Sequence, residues 1–163
     1  ASLRLEGTAF DEQIKTGIMI EIPSIALVAD LAAQEVDFAS IGTNDLCQYT
    51  MAVDRMSPGL RTYYQSLSPA MLRLLHGVIS AFRAAGKPIS VCGEMGGDSL
   101  AAAALVGMGI QKLSMGSASI AKVKAALSQI RLHQAERAVE QAEAARTEAE
   151  AREILSALLA QDT

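Results

Sequence analysis

In the run PISVCGEMGGDS (88–99), a thiol, Cys92, and a carboxylate, Glu94, sit among three glycines where the backbone must turn sharply. A thiol placed there can donate a proton, because free cysteines ionise only at about pH 8.5 and are mostly protonated at neutrality. The alternative, and the commoner fate of a single cysteine, is a small buried hydrophobe. Glu94 would orient the thiol or accept backbone hydrogen bonds, while Gly93, Gly96 and Gly97 let the chain turn and leave amides open to an anion. Their spacing is not that of a dinucleotide-binding fingerprint.

A second pair of acids, Glu21 and Asp45, falls at the exits of the first two strands expected from the sequence. Two unpaired carboxylates at neighbouring strand ends repel unless a cation lies between them. Oxygen ligands from two side chains suit Mg²⁺, which keeps waters and takes further ligands from a phosphorylated substrate. Otherwise both acids cap helices or bind loop amides. Asn44 adjoins Asp45, and Arg55 is a cation in the connection that follows. A planar guanidinium suits a carboxylate or phosphate, although it could equally be a solvated loop charge. His76 and His133 fall within helical patterns and read as structural.

Four segments combine strand-forming residues with a polar or Gly-rich exit: GIMIEIP (17–23), VDFASIGTND (36–45), PISVCGE (88–94) and KLSMGS (112–117). Helical patterns separate them. In the clearest, Ser68 caps, Pro69 fits the first turn and Gly86 ends the helix, while Ser24 and Asp98 open two others. Strand then helix, repeated with short connections, requires right-handed crossovers and parallel strands, so the expected class is α/β with four consecutive parallel βα units. Glu21, Thr43, Asn44, Asp45, Cys92 and Glu94 then share the face at the strands' C-terminal ends. The stretch 46–67 is the longest expected connection and reads as a lid or binding loop. Beyond Ser117 the composition predicts one long helix to about Ala145 and a last helix opened by the capping box TEAE (147–150).

Composition sets the outer limits. With 163 residues, half of them apolar, the chain fits one ordinary domain with an ample core. A net charge of -4 and a pI near 5.2 argue against binding nucleic acid or an anionic membrane surface. The longest apolar stretch (100–110) is about half of what a membrane span needs. No secretory signal is visible, and two cysteines are too few for a disulfide scaffold, so reduced thiols in a cytoplasm are expected. The opening ASLRLEGTAFDEQIKTG reads as a helix end plus a loop, as if the chain began within a domain.

Together, GIMIEIP, DFASIGTNDLCQYTMAVDR and VCGEMGGD resemble the phosphoenolpyruvate-binding domain of enzyme I of the bacterial sugar phosphotransferase system, from about residue 10 to 120. Met95 and NDLCQYTMAVDR favour that family over pyruvate phosphate dikinase and phosphoenolpyruvate synthase, which tend to have His at the Met95 position. The resemblance implies a (β/α)8 TIM-type barrel, of which 1–127 would be the C-terminal half and 128–163 a helical extension. It also implies an enzyme, a phosphotransferase in which phosphoenolpyruvate phosphorylates a histidine on a separate N-terminal domain. That domain would pass the phosphoryl group to the phosphocarrier protein HPr, releasing pyruvate, in sugar uptake. By motif position Glu21 and Asp45 resemble Mg²⁺ ligands, Asn44 and Arg55 resemble residues that hold the substrate's carboxylate and phosphate, and the resemblance implies substrate binding by Asp45 and Glu94 as well. Cys92 resembles the acid that protonates the enolate carbon.

Without the half that closes the barrel, and without the domain that carries the histidine, the chain alone is expected to perform no phosphotransfer. Its open strand edges predict a homodimer. Two competing expectations remain: a dikinase or synthase fragment paired with an ATP-binding domain, and a non-catalytic dimerisation module.

Overall fold

In the computed structural model, which describes residues 2–160, a short helix α1 (Ser2–Leu5) leads to the first strand, β1 (Gly17–Ile20). Helices α2 (Pro23–Leu27) and α3 (Ala29–Glu35) connect it to β2 (Phe38–Gly42). Helix α4 (Thr43–Met51), a 3-10 turn (Pro58–Tyr63) and α5 (Pro69–Ala84) lead on to β3 (Ile89–Cys92). The rest is helical: α6 (Glu94–Gly97), α7 (Ser99–Gly107), α8 (Ser117–Ser128), α9 (Leu132–Glu143) and α10 (Glu148–Leu159). The strands form one parallel sheet in sequence order, with Ile20 opposite Ile41 and Gly42 opposite Cys92.

The side chains of this sheet divide as its pleat requires. Ile20, Ala39, Ile41 and Val91 are buried in the core, whereas Met19 and Phe38 remain 46% and 42% exposed. Helix α5 completes that core with Met71, Leu72, Leu75, Val78, Ile79 and Phe82, a stripe at helical spacing. Its ends follow the sequence: the Met71 N–H donates to the Ser68 hydroxyl at 3.3 Å, and Gly86 adopts φ +66°. Asp98 caps α7 in the same way, accepting from the Ala101 N–H at 2.8 Å.

Five expectations need correction. The fourth segment forms no strand among the described residues. It makes one parallel bridge, Leu113 to Val91, with the Val91 N–H donating to Lys112 O and the Ser114 N–H to Val91 O. In a parallel ladder only alternate residues of a strand face a given neighbour, so four-residue β3 offers that edge little more than Val91. The stretch 46–67 is not one loop, because α4 starts directly at the end of β2. Helix α2 opens at Pro23 rather than after Ser24, and Val28 separates it from α3.

The expected long helix is likewise broken at 129–131 into α8 and α9, and at Thr147 only half of the capping box forms. Thr147 accepts from the Glu150 N–H at 3.2 Å, while the Glu150 carboxylate accepts from the Arg146 N–H. Helices α9 and α10 pack back on α5 and α7, burying Ala135, Val139, Ala142, Ala151 and Leu155 in the same core. Arg73 Nε donates to Glu143 O at 2.8 Å, His76 Nδ1 lies 2.7 Å from Glu143 Oε1, and the Leu67 N–H donates to the Glu148 carboxylate.

Candidate active site

Because all three strands run the same way, their C-terminal ends open on one side of the sheet. Cys92 is the last residue of β3, and it is exposed there rather than packed as a core hydrophobe. Beside it a cleft of about 710 Å³ is lined by Asn44, Cys92 and Glu94 and, from the far wall, by Ser114, Ser119 and Lys122.

The turn after Cys92 is fixed against the start of α4. Gly93 has φ +126°, a conformation closed to other residues, and a side chain there would strike the Thr43 hydroxyl. Buried Thr43 donates that hydroxyl to Cys92 O at 3.2 Å, and Asn44 Oδ1 accepts from the Glu94 N–H at 3.0 Å. The turn's glycines thus permit the β3 exit to rest on α4, and two hydrogen bonds hold it there. The Cys92 carbonyl is occupied; its thiol is left facing the cleft.

Arg55 joins this group from the turn beyond α4. Its guanidinium lies 3.9 Å from the Glu94 carboxylate, and its N–H donates to Gln48 Oε1 at 3.2 Å. With the Glu94 side chain 83% exposed, the ion pair contributes little stability and leaves the guanidinium available to an anion.

Glu21 follows β1, and its carboxylate is accommodated by the missing side chain of Gly42: a Cβ there would stand 2.9 Å from Glu21 Oε2. Asp45 sits in the first turn of α4, one turn past the end of β2, where the helix N-terminus favours a negative charge. Both are half-buried, and no hydrogen bond or ion pair occupies either carboxylate among the described residues. Neither lines the cleft itself, and no three His, Cys, Asp or Glu side chains gather among the described residues to form a complete metal cage. Two carboxylates without a protein partner would suit Mg²⁺ in chemistry, since that ion completes its shell from water and substrate. They would not fit a metal that needs a full set of protein ligands.

Three residues of this region carry no signal that sequence reasoning used. Lys122 and Ser119 reach the cleft because α8 starts beside the β3 exit. Tyr64, in the expected connection, donates its hydroxyl to Asn44 O at 3.1 Å and stands near enough to the buried thiol of Cys47 to affect its ionisation. Burial pushes the Cys47 thiol up to about 11, with the Tyr64 hydroxyl pulling back and Glu148 adding to the rise. Tyr64 is raised well beyond the usual phenol range, first by burial and then by the charges at Cys47 and Glu94.

Residues 1–132 match the family described as PEP-utilising enzyme, PEP-binding domain. Proteins named phosphoenolpyruvate-protein phosphotransferase from Streptococcus equinus and Staphylococcus carnosus are each 52% identical to the chain over 122 residues, and that from Priestia megaterium is 51% identical. Each match covers 75% of this chain and 21% of the relative, so the chain spans about a fifth of the length of the curated relatives it matches.

Proposed function

We propose, from the premise that the chain belongs to the PEP-binding domain family of PEP-utilising enzymes, that it binds phosphoenolpyruvate as part of a phosphoenolpyruvate-protein phosphotransferase, enzyme I of the sugar phosphotransferase system. In this proposal residues 1–127 are half of a (β/α)8 barrel and 128–163 its helical extension. The observation that carries the reading is the meeting of Cys92, Asn44 and Glu94 in one cleft, with Arg55 3.9 Å from Glu94.

Glu21 and Asp45 would hold Mg²⁺, which supplies charge neutralisation on the phosphate and enolate oxygens. Arg55 and Lys122 would bind the anionic groups of the substrate, Arg55 by its planar fork and Lys122 as a point charge. Asn44 and Glu94 set the cleft's wall and the position of Arg55. The bond that breaks joins phosphorus to the enol oxygen; the phosphoryl group goes to a histidine nitrogen and the electron pair stays on the enolate. Cys92 then gives its S–H proton to the methylene carbon, making pyruvate, and regains a proton from solvent. The same residues run the reaction in reverse.

The accepting histidine is not at this cleft. His76 is engaged with Glu143 and His133 lies in α9, so in this proposal the acceptor, and HPr after it, are met by other parts of an enzyme five times as long as the segment matched here. The 163 residues alone perform no phosphotransfer. Their setting is the cytoplasm, consistent with two free thiols and with no described helix being long and apolar enough to cross a membrane. The sheet face bearing Met19 and Phe38, with the unpaired edge of β1, would be covered by a second copy.

Calorimetry tests the binding step: the chain should bind phosphoenolpyruvate with Mg²⁺ and not with EDTA. Asp45→Ala should weaken binding by about 100-fold, the loss of one ligand to a clustered charge. Equal binding with and without the metal would overturn the assignment of Glu21 and Asp45.

A further inference from the structure

The chain leaves α4 through Ala52, a non-glycine residue at φ 52°, and doubles back along the helix. Two hydrogen bonds attach the returning segment. Near its start the Arg55 N–H reaches Gln48 Oε1, and at its end the Tyr64 hydroxyl reaches Asn44 O. Asn44 and Gln48 are four residues apart, hence on one face of α4, one turn from each other. The returning segment is therefore fastened at both ends to a single helical ridge, with the Arg55 side chain projecting beside it toward Glu94.

Resting on the function proposed above, we infer that Tyr64 is a positioning residue: by closing the 52–64 segment onto Asn44 it sets where the Arg55 guanidinium stands beside Glu94, which lines the substrate cleft. Asn44 is the point where this matters, because its backbone holds Tyr64 while its side chain holds the Glu94 N–H. One residue thus joins the segment that carries Arg55 to the turn that carries Cys92. The neighbouring Tyr63 is 64% exposed and makes no such bond. Burial keeps the Tyr64 hydroxyl protonated, so the donor persists throughout the neutral range.

The test uses the whole chain with Tyr64→Phe, which removes the hydroxyl and keeps the ring, and Tyr63→Phe as its control. Phosphoenolpyruvate binding with Mg²⁺ is measured in each and in Arg55→Ala with and without Tyr64→Phe. Tyr64→Phe should weaken binding about tenfold, the worth of one hydrogen bond that orients a charge. In the Arg55→Ala background its effect should fall below about twofold, as expected when one residue acts through another. Tyr63→Phe should bind as the unaltered chain does. Amide hydrogen exchange is followed in parallel: Tyr64→Phe should speed exchange within 52–64 and leave β1 to β3 unchanged. Unaltered affinity in Tyr64→Phe, or an equal loss in the Arg55→Ala background, overturns the inference. If the unaltered chain binds no phosphoenolpyruvate, the proposed function falls by itself. Hydrogen exchange then decides the clamp, which unchanged protection of 52–64 would refute.

Discussion

Cys92 and Cys47 are chemically the same residue with opposite surroundings. Cys92 opens to the cleft at the end of β3, while Cys47 is fully buried on α4 beside Tyr64. Since the thiolate is the attacking form, a disulfide reagent at pH 8 should react with Cys92 and spare Cys47 until the chain unfolds. Two thiols reacting at one rate in the folded chain would contradict this. The same burial has a consequence for stability. Burial raises the Cys47 thiol to about 11 in the folded chain, well above a free thiol, so its contribution is intact below pH 9 and is lost as the pH climbs through 11. That difference corresponds to about 3 kcal/mol at most. Denaturation between pH 9 and 11 should show a flatter decline in Cys47→Ala; equal slopes would show that the buried thiol is not the group responsible.

At the scale of elements, the ends of α5 and the start of α7 were legible, the start of α2 and the break between α8 and α9 were not, and strand pairing was less legible still. Ser68, Pro69, Gly86 and Asp98 act where the sequence places them, because capping depends on a few adjacent residues. KLSMGS has strand-like residues, but pairing is decided by what the neighbour offers, and short β3 leaves one bridge. The split of the long Ala/Glu helix into α8 and α9 has a tertiary cause as well. Gly107 lets α7 approach α9 so closely that a Cβ would come within 2.6 Å of Ala135 O, and α9 must turn to reach that contact. Of the chemistry-bearing residues, Glu21, Asn44, Asp45, Cys92 and Glu94 could be placed on one face from strand order alone. Tyr64 and Lys122 could not, since Tyr64 meets Asn44 and Lys122 meets the cleft only by fold-backs that no periodicity records.

For the whole molecule, the proposed association rests on the open sheet. Met19 and Phe38 are nearly half exposed on the face away from the helices, and among the described residues no strand pairs with the outer edge of β1. Such a surface costs free energy in water and is relieved by a partner. Light scattering at tens of micromolar should give about twice the 17.1 kDa chain mass. A monodisperse monomer would contradict the dimer. The net charge of -4, by contrast, says little about the cleft, which Lys122 lines and whose Glu94 has Arg55 at 3.9 Å.

The central claim, that the Cys92 thiol exchanges a proton with the methyl carbon of pyruvate, needs no phosphoryl acceptor to be measured. Pyruvate is placed in D₂O with Mg²⁺ and the chain, and loss of its methyl signal is followed by proton NMR. The account predicts deuteration well above the buffer rate, falling about 100-fold in Cys92→Ala, the usual worth of a positioned acid or base. Deuteration by Cys92→Ala at the rate of the unaltered chain would contradict it.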